Sequence, residues 1–174
     1  MKKLITTLTV LAVSGSFAVA GGGKAPVIED KIPLGCACFD PGFEFSGFAA
    51  GILPEEWGDD ELGGGVSLAY FLSENIGVEL SYSVLATDSE EHVVTGNIVY
   101  RFPIKDICVA PYVLVGGGLV TNSDTHGLFD VGGGIDVRFD SWGCIGIFAD
   151  ATYNWVEDDG QDFTLIRAGF RVPF

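Results

Sequence analysis

"FTLIRAGFRVPF", residues 163–174, alternates two residues at a time. Ile166, Ala168, Phe170, Val172 and Phe174 form one apolar set. Arg167, Gly169 and Arg171 fall on the opposite face, with Pro173 beyond them. Period-two alternation marks a strand whose two faces meet different surroundings. Two features separate this strand from an ordinary core strand. Its apolar face runs to an aromatic with no polar tail. Its polar face carries two arginines in a chain with 9 Lys+Arg against 24 Asp+Glu and a formal net charge of -15.

The 174 residues suit one domain, and 48% of them are hydrophobic. Mean hydropathy is +0.37, too apolar for a disordered chain. Strong acidity excludes nucleic acid as a partner, because phosphate binding needs a basic stripe. With 25 Gly, 12% aromatics and a single Met, the composition favours strands and turns over helices.

The N-terminus reads as a cleaved secretory signal over residues 1–20. Lys2 and Lys3 form a basic start, a short apolar stretch follows, and Ala18-Val19-Ala20 supplies an A-x-A cleavage site. No later run approaches the ~18 apolar residues of a membrane helix. If the rest of the chain spans a membrane, it does so as a barrel.

The alternation recurs along the chain. "IGVELSYSV" sets Ile76, Val78, Leu80, Tyr82 and Val84 against Glu79, Ser81 and Ser83. "TGNIVYRF" sets Ile98, Tyr100 and Phe102 against Asn97 and Arg101, and "GVSLAYFL" sets Val66, Leu68, Tyr70 and Leu72 against Ser67 and Ala69. "FDVGGGIDVRF" opposes Phe129, Val131, Ile135, Val137 and Phe139 to Asp130, Asp136 and Arg138. "CIGIFADATYNW" opposes Ile145, Ile147, Ala149, Tyr153 and Trp155 to Asp150 and Asn154. Two further candidates, 43–52 and 109–119, alternate less cleanly: Phe48, and either Pro111 or Tyr112, face the wrong way in any register. The total is eight strands, each of a length that crosses a bilayer at a tilt.

Short connections ("SEN", "PIKDI", "DSWG") are expected to alternate with longer acidic ones ("LPEEWGDD", "TDSEEH", "VTNSDTHG", "VEDDGQD"), as in an outer-membrane barrel. Phe43, Tyr70, Phe102, Tyr112, Phe139, Tyr153, Trp155 and Phe174 lie near strand ends, where interfacial girdles form.

These features together resemble the small eight-stranded outer-membrane β-barrel family, which includes the OmpA barrel domain and the OmpX-like and opacity-type proteins. "YRFPIKDICVAPYVLVGGG", "GGGIDVRF" and "DFTLIRAGFRVPF" look like the family's later strands. The resemblance covers about residues 43–174 and implies an all-β, antiparallel up-and-down transmembrane barrel in the outer membrane, preceded by a periplasmic segment over 21–42. It also implies that Phe174 is a signal read by the barrel-assembly machinery.

An eight-stranded barrel has an interior only wide enough for side chains. By parity Glu44, Glu79, Asp130, Asp136 and Asp150 point inward, together with Arg101, Arg138, Arg167 and Arg171. Interleaved, these charges form an ion-paired network that plugs the lumen. The long connections carry thirteen acids, among them Glu55, Glu61, Glu91, Asp124, Glu157 and Asp162, and no Lys or Arg. Solubility explains such a rim, and a sharper reading is divalent-cation bridging to lipopolysaccharide.

The cysteines number four, an even count in an oxidising compartment. Cys108 and Cys144 begin strands at the periplasmic end, and Cys36 and Cys38 precede the first strand. A Cys36–Cys38 ring would be tight, so each is expected to pair with Cys108 or Cys144. Free thiols or a zinc site are weaker readings. No cofactor is expected. His92 and His126 are the only histidines, and "DTHGLF" lacks the serine two positions on that the lipid A deacylase pattern requires, so no catalysis is expected. A soluble, lipocalin-like carrier would place its apolar residues inside. The expected function is that of a monomeric structural or surface barrel with a plugged lumen. The alternative is a minor channel, or an adhesin binding a partner or divalent cations through its loops.

Overall fold

The computed structural model describes residues 36–54, 61–86, 91–121, 124–157 and 161–174. The expected signal over 1–20 and most of the 21–42 segment lie outside these residues. Eight strands follow one another: β1 (Gly42–Pro54), β2 (Glu61–Phe71), β3 (Ile76–Ala86), β4 (Glu91–Arg101), β5 (Val109–Thr121), β6 (Thr125–Phe139), β7 (Ile145–Val156) and β8 (Phe163–Pro173). Each pairs antiparallel with the next, and β8 returns to β1, so the sheet is a closed up-and-down barrel. Following paired residues from Glu44 through Ala69, Glu79, Asn97, Gly116, Asp130, Asn154 and Phe163 leads back to β1 at Pro54. The walk starts at position 44 and ends at position 54, a stagger of ten residues that fixes the strands at a tilt.

The two faces invert the usual order of a soluble protein. Ile76, Val78, Leu80 and Tyr82 of β3 are exposed, while Glu79, Ser81 and Ser83 are buried. On β8, Ile166, Phe170 and Val172 point out and Arg167 and Arg171 point in. A contiguous outward apolar surface of this kind is stable only against lipid. A lipocalin-like carrier has the opposite arrangement. Aromatics mark both rims. Phe43 stacks on Phe174 with centroids 5.8 Å apart and packs against Tyr70 at 4.7 Å; at the other end Phe129 stacks on Trp155 at 5.6 Å.

Two expectations need correction. Tyr112 is not a girdle residue: it is buried in the lumen. Phe48 also points inward, which settles the ambiguous registers of β1 and β5. The connections do not alternate in length. β5 and β6 run on until Thr121 pairs with Thr125, and β4 begins at Glu91, so residues expected in loops join the ladder. Strand pairing satisfies backbone groups as well outside a bilayer as within it, so the ladder outruns the apolar pattern.

A closed, ion-paired lumen as the candidate functional site

Alternation along six strands delivers nine charged side chains to the lumen, all of them buried: Glu44, Glu79, Arg101, Asp130, Asp136, Arg138, Asp150, Arg167 and Arg171. Eight of the nine form one chain. Glu44 accepts from Arg101 Nη1 and from Arg138 Nη2, each at 2.8 Å. Arg138 grips Asp136 with Nε and Nη2, both at 2.7 Å. Arg171 links Asp136 to Glu79, at 3.1 Å on each side. Arg167 reaches Glu79 at 3.0 Å and holds Asp150 through Nε and Nη2, both at 2.8 Å. Tyr112 Oη donates to the same Asp150 at 2.6 Å. Two-pronged guanidinium–carboxylate pairs are the geometry in which desolvated charges come nearest to offsetting their own burial. The ninth charge, Asp130, has no hydrogen-bond partner at either oxygen among the described residues.

Aromatic rings thread between the guanidiniums. The Arg101 guanidinium lies 3.6 Å from the centroid of Phe71, Arg171 4.5 Å from Phe148 and Arg167 5.2 Å from Phe48. Glycines make the room. Phe48 pairs with Gly65 on one side and Gly169 on the other, and a Cβ at either would strike the Phe48 residue. Sequence alternation marked Phe48 and Tyr112 only as misfits and did not place Phe71 and Phe148, because it assumes a lumen of polar residues. An inward aromatic flanked by glycine on the neighbouring strands was the available signal.

Both ends of this layer are closed. Towards the β1–β2, β3–β4, β5–β6 and β7–β8 connections, Ile52, Leu85, Val93, Val120, Leu128, Phe163 and Leu165 form a buried apolar cluster. At the opposite end the chain before β1 crosses the opening. Cys36 is bonded to Cys108 and Cys38 to Cys144, with Cα atoms 5.2 and 5.1 Å apart. Cys108 and Cys144 adopt φ values of 55° and 64°, in the left-handed region that non-glycine residues rarely occupy. Arg101 ties this floor to the network by donating from Nη2 to the Phe39 carbonyl at 3.0 Å, and the Cys36 amide donates to the Lys105 carbonyl at 2.8 Å.

Away from the lumen, His92 Nδ1 lies 2.9 Å from Tyr82 Oη. Ser123, the hydroxyl nearest His126 in sequence beyond its own strand, lies outside the described residues, as do Glu55, Asp59, Asp88, Glu90, Asp158 and Asp159. Asp124 and Glu157 are exposed at the rim, while Asp162 accepts from the Val156 amide at 2.9 Å. Lys105 pairs with Glu74 at 2.8 Å at the disulfide end. Phe174 is exposed, and its amide donates to the Phe43 carbonyl at 3.0 Å.

Residues 39–174 match a family model described as outer membrane protein beta-barrel domain. Among solved structures the fold is similar to Neisserial surface protein A, at 16% identity over 76% of this chain and 97% of that one, with a TM-score of 0.60. It is similar to the N-terminal β-barrel domain of Pseudomonas aeruginosa OprF, at 18% identity over 76% of this chain and 100% of that one, with a TM-score of 0.57. It is also similar to the outer membrane enzyme PagL, at 12% identity over 75% of this chain and 99% of that one, with a TM-score of 0.53. At these identities the likeness is one of fold. No curated protein matches the chain.

Proposed function

Because this chain belongs to the outer membrane protein beta-barrel domain family, we propose that it is a monomeric surface barrel whose lumen conducts little and whose work is done at its extracellular rim. The observation that carries this reading is the closure of the lumen in three successive layers: the apolar cluster, the ion-paired chain and the disulfide-tied floor. A solute crossing the barrel would have to break all three. In this orientation the disulfide end faces the periplasm and the acidic connections face outward. The rim then carries carboxylates and the periplasmic end carries Lys105, which suits bridging by divalent cations to lipopolysaccharide phosphates. The barrel-assembly machinery, reading Phe174, is the second proposed partner.

No catalytic step is assigned. The fold itself does not decide this, since an enzyme is among the similar structures. The support is local: His92 is engaged by Tyr82, and the segment around His126 lacks the hydroxyl spacing of a deacylase. Deleting the gene tests the proposal. Unchanged permeability to small solutes, with altered surface adhesion or altered sensitivity to chelators, is the expected outcome. A loss of solute uptake with no surface phenotype would favour the channel reading.

A further inference from the structure

The described lumen holds five buried carboxylates and four buried guanidiniums. The ion pairs of the four Arg go to Glu44, Glu79, Asp136 and Asp150, and none of them goes to Asp130. Arg167 directs Nε and Nη2 to Asp150 and Nη1 to Glu79. Asp130 is therefore the excess charge. It is 1% exposed, and neither oxygen meets a donor among the described residues. An isolated buried carboxylate is among the costliest groups a protein interior can hold.

The residues around it supply oxygens rather than donors. Asn97, Gly116, Asp130 and Asn154 are consecutive partners in one row across β4, β5, β6 and β7. Asn154 Nδ2 donates to the Thr152 and Phe163 carbonyls at 3.1 and 3.3 Å, which fixes the amide and leaves its Oδ1 without a partner. Asn97 Nδ2 donates to Thr95 Oγ1 at 3.3 Å, and its Oδ1 is likewise unpartnered. That Oδ1 lies over Gly116, where a Cβ would collide with it. The missing side chain thus lets the Asn97 oxygen lean along the row towards Asp130. Four buried acceptor oxygens from three residues share a row with no donor to satisfy them.

We propose that this row binds one alkali-metal cation, held by the Asp130 carboxylate and the side-chain oxygens of Asn97 and Asn154. Hard oxygen ligands select hard cations. The charge balance selects a monovalent one: a single positive charge makes the lumen neutral, whereas a divalent ion would leave a net positive charge. Asn97, Asp130 and Asn154 are all buried, so the ion is taken up as the barrel closes.

The test is to extract the protein, unfold it in urea with disulfides intact and refold it into detergent micelles. Sodium chloride is compared with N-methylglucamine chloride at equal ionic strength, since the larger cation cannot fit. For the wild type, the folded-to-unfolded ratio should rise about tenfold per tenfold increase in sodium once the site is mostly occupied. Asp130→Asn should show no such dependence, and Asn97→Leu should need more sodium for the same gain. An equal response of wild type and Asp130→Asn would overturn the proposal. If Asp130→Asn does not refold, wild-type crystals grown after refolding in rubidium chloride decide. An anomalous peak between Asp130, Asn97 and Asn154 supports the site, and water alone at that position overturns it. So would the infrared carbonyl band of a protonated carboxylic acid in sodium-refolded wild type that Asp130→Asn removes.

Discussion

Replacing Arg167 by Ala probes the ion-paired chain at its best-defined link. Arg167 makes two charge-assisted bonds to Asp150 and one to Glu79. In the variant, Asp150 keeps only the Tyr112 hydroxyl, and Glu79 keeps only Arg171. Removing one side of a buried pair costs roughly 3–5 kcal/mol, because the charge left behind stays desolvated. Loss of the guanidinium above the Phe48 ring pushes the cost towards the upper end of that range. Equilibrium unfolding in urea with lipid vesicles reads it as a lower midpoint. Second-site changes sharpen the test. Asp150 loses two bonds to a cation and Glu79 only one, so Asp150→Asn should recover more of the loss than Glu79→Gln. The expected coupling energy is about 0.5–3 kcal/mol. An Arg167→Ala barrel within about 0.5 kcal/mol of wild type, or the reverse order of rescue, would refute the reasoning.

Folded protein should migrate differently from boiled protein on a cold detergent gel, and identical migration would count against a closed barrel. Alkylation followed by mass spectrometry should find no free thiol at Cys36, Cys38, Cys108 or Cys144 until a reductant is added; four alkylated cysteines without reductant would contradict the disulfide-tied floor. The bridges span 72 and 106 residues, so either alone is worth about 4–5 kcal/mol in the chain-entropy account, and less together because the loops overlap. Gly65→Val should destabilise the barrel by about 1–3 kcal/mol through collision with the Tyr82 carbonyl and the Phe48 ring; a neutral result would contradict the close packing of β2 against both.

Much of this arrangement was legible in the sequence. Period-two alternation located six strands cleanly, and parity alone placed Glu44, Asp136 and Arg171 on the same side of the sheet as their eventual partners. Parity gives a face but not a height. Which arginine meets which carboxylate depends on the ten-residue stagger, which emerges only when β8 closes on β1. The binary pattern also treated every aromatic as lipid-facing. Phe48 and Tyr112 broke it because aromatic faces stabilise buried guanidiniums and because Gly65, Gly169 and Gly134 leave space for them. Apolar residues at the loop ends of the lumen, such as Leu85 and Val120, were hidden for a similar reason: they follow the inward parity but not the polar expectation. Strand ends were misjudged where ladder pairing continues through polar residues such as Thr125.

Single-channel recording of the wild-type protein in planar bilayers tests the closed lumen most directly. With the apolar cluster, the ion-paired chain and the disulfide floor all in place, the barrel should show almost no steady conductance. Arg167→Ala, which opens the middle layer, should show more than wild type. Large, steady conductance through the wild-type barrel would contradict the closed lumen and make the protein a channel.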